Sequence, residues 1–261
     1  MQPATVQGAA AVDAVSARFS GTRFGNALHA ALEHADFAAW ADADGERLPP
    51  EQVALLQTAL QANGYGEADL ATGVPLLADL VARTLQAPLP EGMRLCDVPA
   101  MDRIAELEFH YTLHDAASDR LLALLQQAGW LQQRSRLGIE PILQGVMTGK
   151  IDLVYRHCER LYLLDYKSNR LPDYRPDALA RAMDAADYGL QAVLYAVALH
   201  RWQRQRRGDY VLQRHFGGAR YLFCRGLSLR EPLAGIACPA LTPDLILAAD
   251  ALLGTAAESS A

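Results

Sequence analysis

The stretch GKIDLVYRHCERLYLLDYK, residues 149–167, has the pattern of two β-strands joined by a short turn. We predict a strand over 145–156, a turn at 157–160 and a second strand over 161–167 that is apolar enough to be central in a sheet. A turn of this length places Arg156 opposite Leu161. Continuing that register inward places Asp152 directly opposite Asp165.

Two facing carboxylates destabilise a sheet unless something compensates their charge. A hard divalent cation between Asp152 and Asp165 would do so. Lys167 offers a second explanation, because it is two residues beyond Asp165 and projects from the same face. Its ammonium group would neutralise one acid in a purely structural ion pair. The spacing alone supports the ion pair and the metal site equally.

The rest of the chain predicts a mixed α/β core preceded by a helical region. Predicted helices cover 22–40, 51–61, 73–86, 118–133, 177–206 and 242–253, and further strands cover 104–113 and 220–225. We expect a linker or disordered end at 1–20, one domain over 21–254 and a tail at 255–261. Within that domain, a helical part (21–90) is followed by an α/β core (100–230) and a C-terminal helix (242–253).

Composition limits the protein classes to consider. About half of the 261 residues are apolar, yet no run reaches the roughly 18 residues of a membrane span. The N-terminus lacks the pattern of a secretory signal, so we expect a cytoplasmic bacterial protein with no membrane partner. The four cysteines form no CxxC pair, which argues against a zinc ribbon, an iron–sulfur cluster or a disulfide framework. No GxxxxGK[ST] loop is present, so we expect no ATP site.

Charge is distributed unevenly along the chain. The net charge of −6 disfavours a general nucleic-acid binder. Residues 1–100 carry 12 acidic and 5 basic side chains, whereas residues 201–230 carry eight arginines and one acid. These arginines would contact DNA phosphates, form a solvated helix end or dock a partner subunit, and the sequence leaves the three alternatives open.

An Asp in one strand followed by Asp-x-Lys in the next resembles the motif of the PD-(D/E)xK nuclease superfamily. More narrowly, residues 149–169 resemble the RecB family of nuclease domains, from the beta subunit of bacterial exodeoxyribonuclease V. Three further blocks match that family: FGNALHAALE (24–33), YGLQAVLYAVALHRW (188–202) and HFGGARYLFCRG (215–226). A bare Asp…Asp-x-Lys is a weak motif, but four blocks in this order are specific. The resemblance implies a restriction-endonuclease-like core, a mixed central sheet flanked by helices.

The resemblance also implies a metal site. His29, Asp152 and Asp165, with the main-chain carbonyl of Tyr166, would hold Mg²⁺, and Mn²⁺ or Ca²⁺ could occupy the same position. Lys167 would orient or help to deprotonate the attacking water, or stabilise charge on the phosphate. A lone histidine on an amphipathic helix is seldom a ligand, so the assignment of His29 depends on the resemblance.

Four further residues are candidates for supporting roles. Gln191 and Tyr195 form the Gln-xxx-Tyr motif of the family and share a helix face with Tyr188. They would support the water, the lysine or a DNA strand, or else be ordinary helix-interface residues. Relatives place an acid on the strand that here carries Glu106, although a solvent-facing acid is an equal alternative. Lys150 is expected to be a strand-edge charge, or to touch phosphate.

The resemblance therefore implies a Mg²⁺-dependent DNA nuclease without an iron–sulfur cluster. It would be the excised nuclease domain of a helicase–nuclease acting in double-strand-break repair and recombination. Its preferred substrate would be single-stranded DNA, and its parent would contain a helicase domain and RecC- and RecD-like subunits. The alternatives are a catalytically silent module that binds DNA or a partner, and a restriction or phage-defence nuclease.

Overall fold

The computed structural model describes residues 17–43, 48–138 and 142–254. The expected tail at 255–261 and most of the expected linker at 1–20 lie outside these ranges. Phe19, within that linker segment, is only 2% exposed and stacks on Tyr65. No helix in the described ranges is long and apolar enough to cross a membrane.

Backbone contacts divide the chain into two compact units, neither of which is continuous in sequence. The first unit contains the described residues up to Val98, together with Tyr166–Tyr174 and Leu222–Gly235. The second contains Pro99–Asp165, Arg175–Tyr221 and the described residues from Ile236 onward. The helical part expected over 21–90 lies in the first unit, and most of the expected α/β core lies in the second.

The first unit is built from helices. They are α1 (Gly21–His34), α2 (Pro50–Ala62) and α3 (Glu67–Gln86), with 3₁₀ turns at Phe37–Trp40 and Leu95–Asp97. The three α-helices pack against one another. The apolar stripe that the sequence predicts on α1 is buried in this unit: Phe24, Leu28 and Ala31 are each 0% exposed. The stripe thus fixes which face of α1 enters the core.

Two boundaries of the first unit differ from the sequence prediction. The helix predicted over 22–40 ends at His34, because Asp36 begins a separate 3₁₀ turn and its carboxylate accepts a backbone N–H of that turn. Helix α3 starts at Glu67 instead of Gly73. The backbone N–H of Gly66 donates to the Asp69 carboxylate, and this contact caps the earlier turn.

The second unit holds most of a five-stranded sheet in the order β1-β2-β3-β4-β5. The strands are β1 (Arg103–Ala117), β2 (Ile142–His157), β3 (Arg160–Lys167), β4 (Phe216–Phe223) and β5 (Ile236–Ala237). The helices are α4 (Ser118–Gln127), α5 (Pro176–Ala185), α6 (Tyr188–Arg206), α7 (Leu212–His215) and α8 (Pro243–Leu252). Helices α6 and α8 pack together, and the architecture confirms the predicted α/β fold.

The prediction of one long helix over 177–206 is wrong. Asp187, between α5 and α6, has a φ of +55°, which ends one helix and begins the next. The Asp187 carboxylate is held by Arg134 at 2.6 Å. Two residues later, the ring of Trp130 occupies the space that a side chain at Gly189 would need, at 2.5 Å from the ideal Cβ position. The interruption therefore sets the start of α6.

The hairpin register predicted from the turn length is confirmed. Strands β2 and β3 are antiparallel, with Arg156 opposite Leu161 and Leu153 opposite Leu164. Only Cys158 and Glu159 form the turn, and their φ angles are +48° and +64°. Two central residues at positive φ are what a tight type I′ hairpin requires, although neither residue type favours that conformation.

Replacing Cys158 with asparagine should stabilise the protein, because asparagine adopts positive φ at a lower cost than cysteine. We expect Cys158→Asn to raise the free energy of unfolding by about 0.5–1 kcal/mol in urea denaturation. His157→Asn is the matched control, because His157 lies in β2 just before the turn. An equal gain in both variants would show that the backbone conformation of Cys158 is not the cause.

Candidate functional site

Glu106 occupies an unusual position in strand β1. Its neighbours pair regularly with β2, Ala105 with Leu153 and Leu107 with Ile151, so Glu106 lies across from Asp152. Glu106 itself has a φ of +52°, which costs free energy for a residue with a side chain. Carboxylate oxygens of Glu106 and Asp152 lie within 4.8 Å of each other. A strained backbone thus accompanies the close approach of two acids.

Lys150 is exposed and lies on β2, where its backbone is paired with Glu108 of β1. The pairs of β2 with β3 lie further along the strand, from Leu153 to His157. The Nζ atom of Lys150 is 3.0 Å from Glu106 and 3.5 Å from Glu108. The hydrogen bond to Glu106 raises the pKa of Lys150. The ammonium group of Lys150 therefore compensates the negative charge of Glu106 and Glu108 on β1.

Asp165 lies on β3, one position beyond the pair Leu153 and Leu164. Among the described residues, the pairs of β2 and β3 end at Leu153 and Leu164, so the facing of Asp152 and Asp165 stays a prediction. Asp165 is only 2% exposed, whereas Asp152 is partly exposed. A carboxylate so deeply buried requires a compensating cation or hydrogen-bond donors, because its charge is poorly solvated.

Helix α6, in the second unit, carries the amide of Gln191 and the hydroxyl of Tyr195. Gln191 and Tyr195 lie one turn apart, and the Gln191 Nε2 atom donates a hydrogen bond to the Tyr195 Oη atom at 3.0 Å. The ring of Tyr195 also packs edge-on against Phe109 of β1, with the centroids 5.6 Å apart. These contacts hold Tyr195 between α6 and β1.

The electrostatic environment of Tyr195 connects it to the acids. Burial raises its pKa well above the usual range, and the charge of Asp165 raises it further. The charges of Asp152 and Glu106 act in the same direction. The hydroxyl of Tyr195 therefore lies in the negative potential of all three carboxylates and remains protonated at ordinary pH.

Tyr221 of β4 joins this group, although the sequence interpretation assigned it no role. It is 0% exposed, and its Oη atom is 3.1 Å from Gln191 Oε1 and 3.3 Å from the carbonyl oxygen of Tyr188. The rings of Tyr188 and Tyr221 stack with centroids 5.7 Å apart. The sequence feature that could have indicated a role for Tyr221 is a tyrosine among apolar strand residues, within the block HFGGARYLFCRG.

The remaining candidates, His29, Tyr166 and Lys167, belong to the first unit. The ring of His29 on α1 meets the ring of Tyr166 edge-on, with the centroids 6.1 Å apart. Tyr166 is bonded directly to Asp165 and precedes Lys167 in β3. The first unit thus brings His29 to the strand segment that continues from Asp165.

Gly25 explains why α1 can approach this segment. A Cβ atom at Gly25 would lie 2.8 Å from the Oγ atom of Ser168, which follows Lys167 in sequence. The missing side chain therefore permits a close approach of helix and strand end. His29 is one helical turn after Gly25 and so projects from the same side of α1.

The arginines of segment 201–230 include several with structural partners. Arg201 forms a buried ion pair with Asp250 of α8. Arg225 donates hydrogen bonds to the carbonyl oxygens of Ser168 at 2.9 Å and Phe19 at 2.6 Å. Arg201 and Arg225 therefore stabilise the fold, a role that none of the three sequence-based alternatives describes.

Comparison with known proteins identifies similar sequences. Residues 6–234 match the family model described as the PD-(D/E)XK nuclease superfamily. The chain is 40% identical over 172 residues to the RecBCD enzyme subunit RecB of Escherichia coli, covering 62% of this chain and 14% of that protein. It is 33% identical over 242 residues to the subunit of the same name from Mycobacterium tuberculosis, covering 80% of this chain and 21% of that one.

The corresponding RecB subunit of Haemophilus influenzae is 31% identical over 222 residues, which cover 83% of this chain and 17% of the relative. The chain therefore spans about a fifth or less of the curated relatives it matches.

Glu106 offers a test of strain at the site. Glycine adopts positive φ without cost, so Glu106→Gly should relieve the backbone strain while removing a carboxylate. Glu108→Gly is the matched control, because both residues pair with Lys150 but only Glu106 is at positive φ. We expect the Glu106 variant to be more stable to urea than the Glu108 variant by about 1–2 kcal/mol. Equal stability would contradict strain at Glu106.

Proposed function

Because the chain belongs to the PD-(D/E)XK nuclease superfamily, as a RecB-like nuclease domain, we propose that it is a metal-dependent nuclease that hydrolyses phosphodiester bonds of DNA. The observation that carries the proposal is the clustering of acids in the second unit. Glu106 and Asp152 approach within 4.8 Å, and Asp152 and Asp165 lie next to the last paired residues of the hairpin, Leu153 and Leu164. Ordinary folding would not favour such a concentration of negative charge.

The donor set fits Mg²⁺. Carboxylate and carbonyl oxygens are the ligands that this hard cation prefers, and a buried acid such as Asp165 gains most from a cation. We assign Asp152, Asp165, the carbonyl of Tyr166 and His29 as ligands, with Glu106 beside them. The contact of His29 with Tyr166 supports including the histidine. When bound, the metal would lower the pKa of a water molecule and polarise the phosphate.

The protein side chains would supply the remaining functions. Lys167 follows Asp165 by two residues in β3 and projects from the same face, where its ammonium group orients the attacking water or stabilises charge on the phosphate. Tyr195 remains protonated, and its hydroxyl would donate a hydrogen bond to the site. Gln191 positions Tyr195 through its amide.

The names of the relatives suggest the biological setting. We propose that this domain is the nuclease part of a larger RecBCD-type helicase–nuclease in double-strand-break repair and recombination, with RecC- and RecD-like partner subunits. A helicase would deliver an unwound strand, so the preferred substrate is single-stranded DNA. A catalytically silent module is a weaker alternative, because it would have no use for clustered acids and a strained Glu106.

Cleavage of single-stranded DNA with Mg²⁺ tests the catalytic assignment. Asp165→Ala and Lys167→Ala should each lower kcat by about 100-fold or more, since each removes charge stabilisation at the reacting phosphate. Asp119→Ala is the control, because Asp119 is an exposed acid in the first turn of α4. Equal cleavage by the wild type and both site variants would rule out the assignment.

Metal binding provides a test that does not require activity. Calorimetric titration with Mn²⁺ should show one site in the wild type and at least about tenfold weaker binding in Asp152→Asn and Asp165→Asn. The asparagine variants keep the shape of the side chain and remove only its charge. Unchanged affinity in both variants would place the metal elsewhere, and a bound metal without cleavage would favour the silent module.

A further inference from the structure

Tyr221, Gln191 and Tyr195 form a continuous chain of hydrogen bonds within the second unit. The Oη atom of Tyr221 is 3.1 Å from Gln191 Oε1, and Gln191 Nε2 is 3.0 Å from the Oη atom of Tyr195. Tyr221 lies fully buried on β4, while the other two residues lie one turn apart on α6. The hydrogen bonds therefore connect the buried hydroxyl of Tyr221 to the hydroxyl of Tyr195, on which the charges of the three acids act.

The amide of Gln191 gives this chain a direction. Its oxygen can only accept hydrogen bonds, and its nitrogen can only donate them. Because Tyr221 donates to the oxygen, the nitrogen faces Tyr195, and the Tyr195 oxygen is an acceptor in that contact. The hydroxyl hydrogen of Tyr195 is then directed away from Gln191. On its other sides, Tyr195 packs against Phe109 of β1, the strand that carries Glu106, and the charges of Asp165, Asp152 and Glu106 all act on its hydroxyl.

The opposite direction is chemically possible and would have a different outcome. Tyr221 Oη also lies 3.3 Å from the carbonyl oxygen of Tyr188, which can only accept. If Tyr221 gave its hydrogen to that carbonyl and the Gln191 amide turned over, Tyr195 would donate to Gln191 and no longer to the acids. The shorter contact to Gln191 favours the first direction.

We propose that Tyr221 is a positioning residue that fixes the direction of these hydrogen bonds and thereby aims the hydroxyl hydrogen of Tyr195 at the carboxylate cluster. The proposal rests on the proposed nuclease function of the same site. Tyr221 contacts neither substrate nor metal and acts through Gln191. Hydrogen bonds in series polarise one another, so a donor at the buried end strengthens the donor at the reactive end.

The nuclease reaction tests the proposal through a pair of matched substitutions. Tyr221→Phe removes one hydroxyl and should lower kcat about tenfold while the KM for single-stranded DNA stays unchanged. Tyr111→Phe is the control, because the buried Tyr111 hydroxyl has no hydrogen-bond partner among the described residues. An unchanged kcat in Tyr221→Phe would overturn the proposal.

A double substitution separates positioning from a general structural effect. If Tyr221 acts only through Tyr195, the variant with both tyrosines changed to phenylalanine should be no slower than Tyr195→Phe alone. Losses that simply add would mean that Tyr221 acts by another route, and the proposed relay would be rejected.

The amide itself gives a readout that does not depend on activity. In NMR spectra, the Nε2 protons of Gln191 are assigned by their absence in Gln191→Met. Their exchange with solvent should be about tenfold faster in Tyr221→Phe than in the wild type or in Tyr111→Phe. Unchanged exchange would overturn the relay even in an active enzyme. An inactive wild type with the expected change in exchange would contradict the nuclease function and leave the relay supported.

Discussion

The antiparallel pairing of β2 with β3 is the constraint on which the site depends. A turn of only two residues, Cys158 and Glu159, fixes which residues of the two strands face each other. A shift of one position would move the side chain of Asp165 to the opposite face of the sheet. The positive φ angles of the turn are therefore the local cost of this register.

The acids then determine what surrounds them. Glu106 adds a third carboxylate from β1, and it does so in a backbone conformation that disfavours residues with side chains. Lys150 compensates part of that charge on β1. Asp165 is more deeply buried than Asp152. A nearby cation would therefore stabilise the carboxylate of Asp165 more than that of Asp152. The metal ion proposed for this site would account for the strain and the buried charge together.

The parts of this arrangement that were predictable from sequence are those set by short-range rules. Turn length gave the register of β2 with β3, with Arg156 opposite Leu161, and the spacing of Gln191 and Tyr195 placed them on one face of α6. The break at Asp187 was not predictable, because it depends on contacts with Arg134 and Trp130 that are distant in sequence. The strain at Glu106 and the contacts of Tyr221 were not predictable either, because they also depend on residues that are distant in sequence.

The arginines show why charge distribution is a poor guide to a binding surface. The density of arginine in 201–230 suggested a face for DNA or a partner, but Arg201 is buried against Asp250 and Arg225 holds backbone carbonyls. A guanidinium group offers five donors in a fixed plane, which suits it to joining separate segments of a fold. In a chain with only two lysines, arginine performs both structural and surface roles, so its frequency alone does not distinguish them. Lys167 differs because its proposed role rests on its place in β3, two residues after the buried Asp165, and not on the frequency of its residue type.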